Sequence, residues 1–255
     1  MDKIKRQKEH FENISKKYYE ARHNANHLLI KDLIWHTVFK RKDNFKIMKM
    51  QVLEPMCGYA EGKKILEKHF HQDFVYFGFD FSEPLVNLVK QEQPDINIVL
   101  MDVTKFQSHN EFDLIILIGG LHHVPDYAQK VVNNLYACLK TGGYFINFEP
   151  THNNNFYRYI RKKIYNKNKI FDSETERAFE LNELNKMYAN AGFEIIEQFF
   201  PGLISYILYY NPDAFPFLNI GSANLVKLLF NIDKLFIKNS IGKKFSFATL
   251  SILQK

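Results

Sequence analysis

Short apolar segments alternate with amphipathic segments through the middle of the chain. Residues 114–118 form an unbroken apolar run, which is typical of a strand buried on both faces of a parallel sheet. Val131, Leu135 and Leu139 recur at helical spacing. The predicted strands are residues 49–55, 74–80, 96–102, 112–120 and 144–148. The predicted helices between them are 62–70, one that begins after Ser82, and 127–140. This alternation predicts a doubly wound, Rossmann-like α/β fold with helices on both faces of a mostly parallel sheet.

The pattern changes after the fifth predicted strand. A helix at 180–191 ends at Gly192, and strands are predicted at 193–200 and 244–253. The last strand follows no clear crossover helix, so it is expected to be antiparallel and to complete a seven-stranded sheet. We expect one domain, with a helical N-terminal arm at 1–45, a core at 46–200, a helical insertion or substrate cap at 201–243, and a final strand at 244–255.

Composition narrows the class of protein. The chain has 255 residues, of which 46% are hydrophobic and 24% charged, as in a folded globular protein and unlike a disordered one. Its two cysteines, Cys57 and Cys138, argue against a disulfide scaffold and a structural zinc site, and no metal site is expected. The charged start is unlike a signal peptide, and the apolar runs fall short of the roughly 20 residues of a spanning helix. We therefore expect a cytoplasmic protein.

The loop after the first predicted strand is the expected ligand site, because open α/β sheets bind ligands beyond the carboxyl ends of their strands. It reads VLEPMCGYAEG over residues 52–62. A dinucleotide fingerprint, GxGxxG, would need glycine at positions 56, 58 and 61, where the chain has Met56, Gly58 and Glu61. Glu61 would also repel a pyrophosphate at the start of the following helix. The loop therefore disfavours NAD and FAD.

Acidic residues end three successive predicted strands: Glu54, Asp80 and Asp102. A ligand with a positive charge and no phosphate suits such a set. Glu54 is placed to hold an ammonium group, Asp80 to accept from both ribose hydroxyls, and Asp102 to accept from an adenine amine. Solvated strand ends or helix caps would explain any one of these acids, but they explain three in phase less well.

Residues 50–150 resemble a class I S-adenosylmethionine-dependent methyltransferase of the small-molecule type. The resemblance rests on the 52–62 loop, Asp80, the segment 101–103, the stretches 112–114 and 119–124, and the turn 139–143. It implies S-adenosylmethionine as cofactor, S-adenosylhomocysteine as product, and 46–200 as the cofactor-binding core. The cofactor-binding residues it implies are Tyr19, Glu54, Met56, Cys57, Gly58, Asp80, Phe81, Asp102, Val103, Ile118 and Gly119. Met56 and Ala60 stand where the family usually has glycine, whereas Gly58 still permits close approach of the backbone.

Three residues are candidates for handling a proton during transfer. His122 and His123 follow the fourth predicted strand and so lie beside the expected methyl group, and imidazole titrates near neutrality. Glu149, with His152, follows the fifth strand and is the second candidate. The competing interpretations are that His122 packs on the cofactor or caps a helix, and that Glu149 pairs with the basic segment after it.

The expected acceptor is an oxygen or nitrogen of a small molecule, and anionic, lipid-linked and sugar-linked acceptors stay open. Position 118–121 lacks the Asn/Asp-Pro-Pro-aromatic motif of enzymes that methylate exocyclic amines of nucleic acids. Neither cysteine is placed for attack on a pyrimidine carbon. An RNA methyltransferase and a cofactor-binding regulator without catalysis remain the alternatives.

Three further segments bear on the acceptor. Residues 156–169 combine Arg, Lys and aromatic residues, which suits a grip on an anion, although a solvated helix with inward aromatics is preferred. Residues 201–238 repeat apolar residues at helical spacing. A helix that covers the core or pocket is preferred there over an interfacial helix that touches a membrane. The arm, with Tyr18, Tyr19 and His23, resembles the lid of small-molecule members; the alternative is an arm that only packs on the sheet.

Overall fold

The computed structural model describes residues 3–40, 50–70, 72–168, 170–172 and 174–255. The helices are α1 (Lys3–Arg22), α2 (Ala25–Phe39), α3 (Glu61–His69), α4 (Glu83–Glu92), α5 (Ala128–Cys138), α6 (Asn155–Lys167), α7 (Leu181–Ala191), α8 (Ile204–Tyr209), α9 (Ala223–Asp233) and α10 (Ser240–Phe245). The strands are β1 (Met50–Pro55), β2 (Phe74–Asp80), β3 (Ile98–Leu100), β4 (Phe112–Ile118), β5 (Leu139–His152), β6 (Phe179–Glu180), β7 (Glu194–Phe199) and β8 (Ala248–Gln254). Short 3₁₀ turns at Leu121–His123 and Pro125–Tyr127 follow β4.

The described strands form one sheet in the order β3-β2-β1-β4-β5-β8-β7, and the two-residue β6 pairs with the end of β5. The first five strands of the chain, β1 to β5, pair in parallel. β8 lies between β5 and β7 and is antiparallel to both. The direction of winding reverses between β1 and β4, so the loops after these strands open a crevice at the carboxyl edge. The predicted fold class, with its antiparallel last strand, is confirmed.

The side chains of β4 alternate between two apolar clusters, one on each face of the sheet. Leu114 and Ile116 belong to the cluster that includes α2, α3, α8 and α9. Ile115 and Leu117 belong to the cluster that includes α5 and α7. All four side chains are fully buried. The unbroken apolar run at 114–118 therefore reflects cover on both faces, as the sequence predicts.

Two strands begin several residues away from their predicted start, and β3 and β4 each end two residues before the predicted 102 and 120. The turn expected at 139–143 is already part of β5, because a register shift opposite Phe112 and a positive φ of 80° at Gly142 let this segment pair. The last strand begins at Ala248 and not at 244, because residues up to Phe245 form α10. Asn239 begins that helix by accepting hydrogen bonds from the first turn.

The N-terminal arm consists of two helices with different surroundings. The Asn24 side chain accepts from two backbone N–H groups of the next turn and so begins α2 as a separate helix. α2 belongs to the core, since Trp35 is fully buried and meets the Phe148 ring edge-on at 6.1 Å between centroids. α1 reaches the carboxyl edge of the sheet. Residues 41–49, where the predicted arm ends and the first strand was expected to begin, lie outside the described residues.

The helices α8, α9 and α10 occupy the predicted insertion between the last two strands of the chain. Asp233 of α9 accepts from the N–H groups of Ile204 and Ser205, which fastens the start of α8. Gly202 lies against β8, where a Cβ would stand only 2.2 Å from the Ala248 nitrogen. Among the described helices, none has the length and apolar character needed to cross a membrane.

Candidate active site

A small cavity lies where the loops after β1, β2 and β4 meet at the carboxyl edge. Its volume is about 60 Å³. Because pockets for small organic ligands usually hold ~300–1,000 Å³, a nucleoside-sized ligand enters only when part of the wall moves. The lining residues are Gln7, Glu54, Met56, Cys57, Gly58, Tyr59, Glu61, Asp80, Phe81, Ile118, Gly119, Gly120 and His123.

Most of the predicted cofactor residues meet in this wall, together with one predicted catalytic residue. Those brought together are Glu54, Met56, Cys57, Gly58, Asp80, Phe81, Ile118, Gly119 and His123. Gln7 was not predicted as a site residue and comes from α1. Nothing in its local sequence marks it, because its place in the wall depends on how α1 docks.

Three predicted cofactor residues lie outside the wall. Asp102 accepts at 2.8 and 2.7 Å from the backbone N–H and hydroxyl of Thr104, as a turn residue does. Val103 is buried in the apolar cluster beside α5. The Tyr19 ring contacts Tyr59, a lining residue, with ring centroids 4.6 Å apart and the ring planes tilted by 45°. Contact of these three with a cofactor stays a prediction.

The loop between β1 and α3 contains three residues in the left-handed region. Met56, Gly58 and Ala60 have φ values of 51°, 51° and 54°. The Cys57 N–H donates to the Phe79 carbonyl at 3.0 Å, which ties the loop to β2. A Cβ on Gly58 would meet nothing within 4 Å, so a ligand can approach this backbone. The left-handed region costs a residue with a Cβ roughly 1–2 kcal/mol, so Met56 and Ala60 hold a strained glycine-like conformation.

We expect Ala60→Gly to be less destabilising than Ala128→Gly by about 1–2 kcal/mol. Both alanines are fully buried, so each substitution removes the same methyl group. Ala60 has φ 54°, which glycine adopts freely, whereas Ala128 has φ −55°, where glycine only adds flexibility to the unfolded chain. Urea unfolding of the two variants measures the difference. Equal losses of unfolding free energy would show that position 60 carries no strain.

Asp80 holds the loops after β1 and β2 together. One carboxylate oxygen accepts from the Gly58 N–H and the other from the Ser82 N–H, both at 2.9 Å. The side chain is buried, and burial raises its pKa. Since each carboxylate oxygen can accept a second hydrogen bond, Asp80 keeps capacity for two hydroxyl donors at the cavity wall.

Glu54 caps the first turn of α3. Its oxygens accept from the Gly62 N–H at 2.7 Å, the Lys63 N–H at 3.1 Å and the Tyr76 hydroxyl at 2.7 Å. Burial raises the pKa of Glu54 to about 7. Three of its roughly four acceptor sites are used within the protein, which leaves one that can face the cavity. The predicted contact with an ammonium group can therefore be made only through that site.

Glu149 lies within β5, three residues before its carboxyl end, and not after the strand as predicted, because β5 pairs with β8 as far as Pro150 and continues to His152. Its side chain binds the 3₁₀ turn after β4. It accepts from the backbone N–H groups of Gly120 at 3.0 Å and Leu121 at 2.8 Å, and its other oxygen lies 2.9 Å from Nδ1 of His122. Burial raises the pKa of Glu149 to about 7 and lowers that of His122 well below its usual range. The arrangement favours a neutral His122 whose Nδ1–H donates to Glu149 and whose Nε2 has its lone pair free to accept a proton.

The pKa of His123 is shifted in the opposite direction to that of His122. Burial lowers its pKa, but the charge of Glu176, whose carboxylate lies 3.4 Å from Nδ1, outweighs this, so the pKa is raised. The charge of His123 likewise overcomes burial and lowers the pKa of Glu176 to about 2. The pKa values of two adjacent histidines, with ring centroids 4.0 Å apart, are thus shifted in opposite directions. Glu176 was not predicted as a site residue.

α1 docks on this cluster from above the sheet edge. The Gln7 amide nitrogen lies 2.8 Å from Nδ1 of His123 and 2.9 Å from Glu176, and the Thr175 hydroxyl donates to the Gln7 carbonyl. The preceding residue, Arg6, forms an ion pair with Asp172 at 2.7 Å. α1 therefore lies over the cavity and is held by contacts between side chains, and its role as a lid stays a prediction. The side chain of Tyr18 lies outside the described residues.

One nitrogen of His122, one of His123 and one oxygen of Glu176 lie within 4.8 Å of one another, close enough to be considered as metal ligands. The Gln7 amide occupies the space between His123 and Glu176, so a cation would have to displace it. The hydrogen bonds within the protein account for the position of this cluster without a metal.

The basic segment forms α6, and its arginines bind within the protein. Arg158 pairs with Glu180 at 2.9 Å, and Arg161 donates to the backbone carbonyls of Thr151 and Phe247. Of its aromatic residues, Tyr165 is buried, as the preferred interpretation expects, whereas Phe156 is 67% exposed, contrary to it. The contacts of Arg158 and Arg161 therefore stabilise the fold of this segment.

The chain is similar to known methyltransferases in sequence and fold. A family model described as a methyltransferase domain matches residues 52–143. A demethylmenaquinone methyltransferase of Oceanobacillus iheyensis is 27% identical over 183 residues, which cover 62% of this chain and 76% of the relative.

Solved structures show the same fold at low identity. An S-adenosylmethionine-dependent methyltransferase from Mesorhizobium loti superposes with a TM-score of 0.55 at 15% identity, covering 82% of this chain and 93% of the other. A cyclopropane synthase from Mycobacterium tuberculosis gives a TM-score of 0.61 at 14% identity, covering 88% and 83%. Of the strands that form the cavity wall, β2 and β4 lie wholly within the stretch that the family model matches, and β1 does so from Val52 onward.

Proposed function

We propose that this chain, which is a class I S-adenosylmethionine-dependent methyltransferase, methylates an oxygen or nitrogen of a small-molecule acceptor bound beside His122. The observation that carries the proposal is the pair of His122 and the buried Glu149, which presents a neutral imidazole in the turn that begins after the lining residues Gly119 and Gly120. A neutral imidazole can take the proton that a hydroxyl or ammonium acceptor loses.

The cavity residues fit the cofactor. The open backbone at Gly58 permits close approach of a ligand, and Asp80 keeps acceptor capacity for two ribose hydroxyls. Glu54 and Asp80 add negative charge, which suits a cationic ligand without phosphates. When bound, S-adenosylmethionine supplies a methyl group on a positively charged sulfur, and its transfer leaves S-adenosylhomocysteine.

The protein's part in the reaction is to orient and to move one proton. Glu149 fixes the His122 ring by accepting from Nδ1–H, and this leaves Nε2 as the basic atom. The His123–Glu176 ion pair and Gln7 hold α1 over the cavity and exclude water. In this assignment His122 is the base, Glu149 its positioning residue, and His123 a part of the closure.

The relatives' name supports a small organic acceptor of the quinol kind, since they are demethylmenaquinone methyltransferases. As the methyl group bonds to the quinol oxygen, the hydroxyl becomes strongly acidic, and Nε2 of His122 takes its proton. We therefore extend the proposal to an aromatic hydroxyl compound as the acceptor.

The test uses a soluble quinol and its dimethyl ether as a matched pair of acceptors. The purified enzyme with S-adenosylmethionine should form S-adenosylhomocysteine at a rate that depends on the quinol, and the ether should give none. Mass spectrometry of the product locates the new methyl group. Methylation of a ring carbon would contradict transfer to oxygen or nitrogen, and equal turnover with the ether would contradict a role for proton removal.

A further inference from the structure

The insertion carries an unusually apolar outer surface. Large apolar side chains of residues 204–245 are exposed in all three helices and in the loop between α8 and α9. Examples are Phe217 (71% exposed), Ile220 (69%), Leu228 (57%) and Leu235 (72%). Single exposed apolar residues are ordinary, but a concentration of them in one segment marks an interaction surface.

The outer side of α9 is the centre of this surface. Leu225, Leu228, Ile232 and Leu235 follow one another at spacings of three and four, so they share one face of the helix and the turn that continues it. The opposite face holds the buried Val226 and Phe230 in the core. The preferred interpretation of the sequence, a helix that covers the core, therefore describes only the inner face.

Neighbouring segments extend the apolar face. The loop at Gly221 touches Leu225, since a Cβ on that glycine would lie 2.7 Å from the leucine side chain. Ile204, half-exposed on α8, binds the end of α9 through the hydrogen bond of its N–H to Asp233. We call the exposed apolar residues of 204–245 the insertion face.

The charged side chains that residues 201–245 expose around the insertion face are all positive. The only acids between residues 201 and 245 are Asp213 and Asp233, and both are buried. Asp213 pairs with Arg22 at 3.2 Å and Asp233 accepts from α8. The same segment has five lysines, Lys227, Lys234, Lys238, Lys243 and Lys244. Lys227 and Lys234 are seven residues apart and so flank the leucine stripe on one side.

We propose that the insertion face docks on the surface of a membrane that contains anionic phospholipids. Aliphatic side chains on an outward helix stripe, flanked by lysines and free of exposed acids, have the chemistry of an interfacial helix. The lysines are complementary to anionic headgroups. A protein partner of this surface would need a largely acidic rim around an apolar centre, whereas an anionic bilayer supplies both without specific shape.

The docked orientation would serve a lipophilic acceptor. Tyr206 and Tyr210 of the insertion pack on the Phe148 ring, and Phe148 precedes Glu149 on β5. The insertion face thus belongs to an element that contacts the strand carrying the positioning residue. Membrane docking does not rest on the proposed methyl transfer, although it narrows the class of acceptor if that transfer holds.

Sedimentation with vesicles tests the proposal. The full-length protein should sediment with vesicles rich in phosphatidylglycerol, and less with vesicles of phosphatidylcholine alone or at high salt. The double variant Leu228→Glu/Leu235→Glu should lower the partition coefficient at least about tenfold, because it puts charge in the apolar stripe. The variant Lys227→Glu/Lys234→Glu should lose the preference for phosphatidylglycerol.

The matched control is Val75→Glu/Ile196→Glu, which puts two glutamates at exposed apolar positions on the strands β2 and β7. It should sediment as the wild type does. Circular dichroism shows whether each variant is folded, and calorimetry with S-adenosylhomocysteine reports separately on the methyltransferase site. If the wild type does not bind S-adenosylhomocysteine, the proposed function is contradicted, whereas the result on membrane docking is unaffected.

Two outcomes would overturn the docking proposal. One is equal sedimentation of the wild type and Leu228→Glu/Leu235→Glu with phosphatidylglycerol vesicles. The other is a dimer, seen by light scattering without lipid, that the same double variant converts to a monomer; the insertion face would then be an interface between two copies of the chain.

Discussion

Replacement of His122 by alanine is expected to lower kcat by about 10²–10⁴-fold, the usual contribution of a positioned general base. Binding of S-adenosylhomocysteine should change little, because His122 is not among the residues that line the cavity. Rates under saturating acceptor, with calorimetry of the same samples, separate the two effects. His123→Ala is the matched comparison, since it removes an adjacent imidazole whose pKa is raised by the charge of Glu176, against the lowering effect of burial. It should loosen α1 and lower kcat less.

Glu149 provides an independent test of the same assignment. In Glu149→Gln, the amide oxygen satisfies the N–H groups of Gly120 and Leu121, so the amide nitrogen faces Nδ1 of His122. That geometry forces the proton onto Nε2 and removes the base. The His122 N–H, which donates to the second carboxylate oxygen at 3.3 Å in the wild type, loses its acceptor. We expect a loss similar to that of His122→Ala, and no further loss in the double variant, because the two residues act as one unit. Additive losses would show that they act separately.

The pH dependence follows from the raised pKa of Glu149, which burial brings to about 7. Above that pH the carboxylate accepts Nδ1–H from His122, and Nε2 is basic. As the pH falls through about 7, Glu149 gains a proton and donates to Nδ1, so kcat should fall. A wild-type kcat that is flat from pH 6 to 8 would contradict this assignment.

Asp80→Ala should weaken S-adenosylhomocysteine binding by about 10²–10⁴-fold. A charged acceptor contributes about 1.5–3 kcal/mol per hydrogen bond, and Asp80 is placed to accept from two ribose hydroxyls. The substitution also frees the Gly58 and Ser82 N–H groups that its carboxylate holds. Calorimetric titration measures the loss, and NADH should not bind the wild type.

Two matched variants serve as comparisons for the loss of S-adenosylhomocysteine affinity in Asp80→Ala. Asp95→Ala removes an exposed acid near the end of α4 and should leave binding unchanged. Asp102→Ala tests the predicted adenine contact, and its effect should be smaller than that of Asp80→Ala because Asp102 already binds Thr104 outside the cavity wall. Full affinity in a folded Asp80→Ala variant would remove the ribose assignment.

The sequence by itself determined the order of strands and helices and the place of the cofactor loop. These features follow from local rules: strand and helix differ in apolar period, and the run at 114–118 needs cover on both faces. The position of Asp80 followed as well, because a residue at the carboxyl end of a parallel strand must face the crevice. His122, His123 and Glu149 came from the same reasoning about strand ends.

Only the tertiary structure decided which residues these side chains contact and in which direction their pKa values shift. Gln7 and Glu176 meet at His123 although they are 169 positions apart, and no local pattern encodes a contact at such separation. The opposite pKa shifts of His122 and His123 depend on burial and on which carboxylate each faces. The same holds for the outer stripe of α9. A periodic pattern shows that a helix has two unlike faces, but what covers each face is decided by the packing of the other elements.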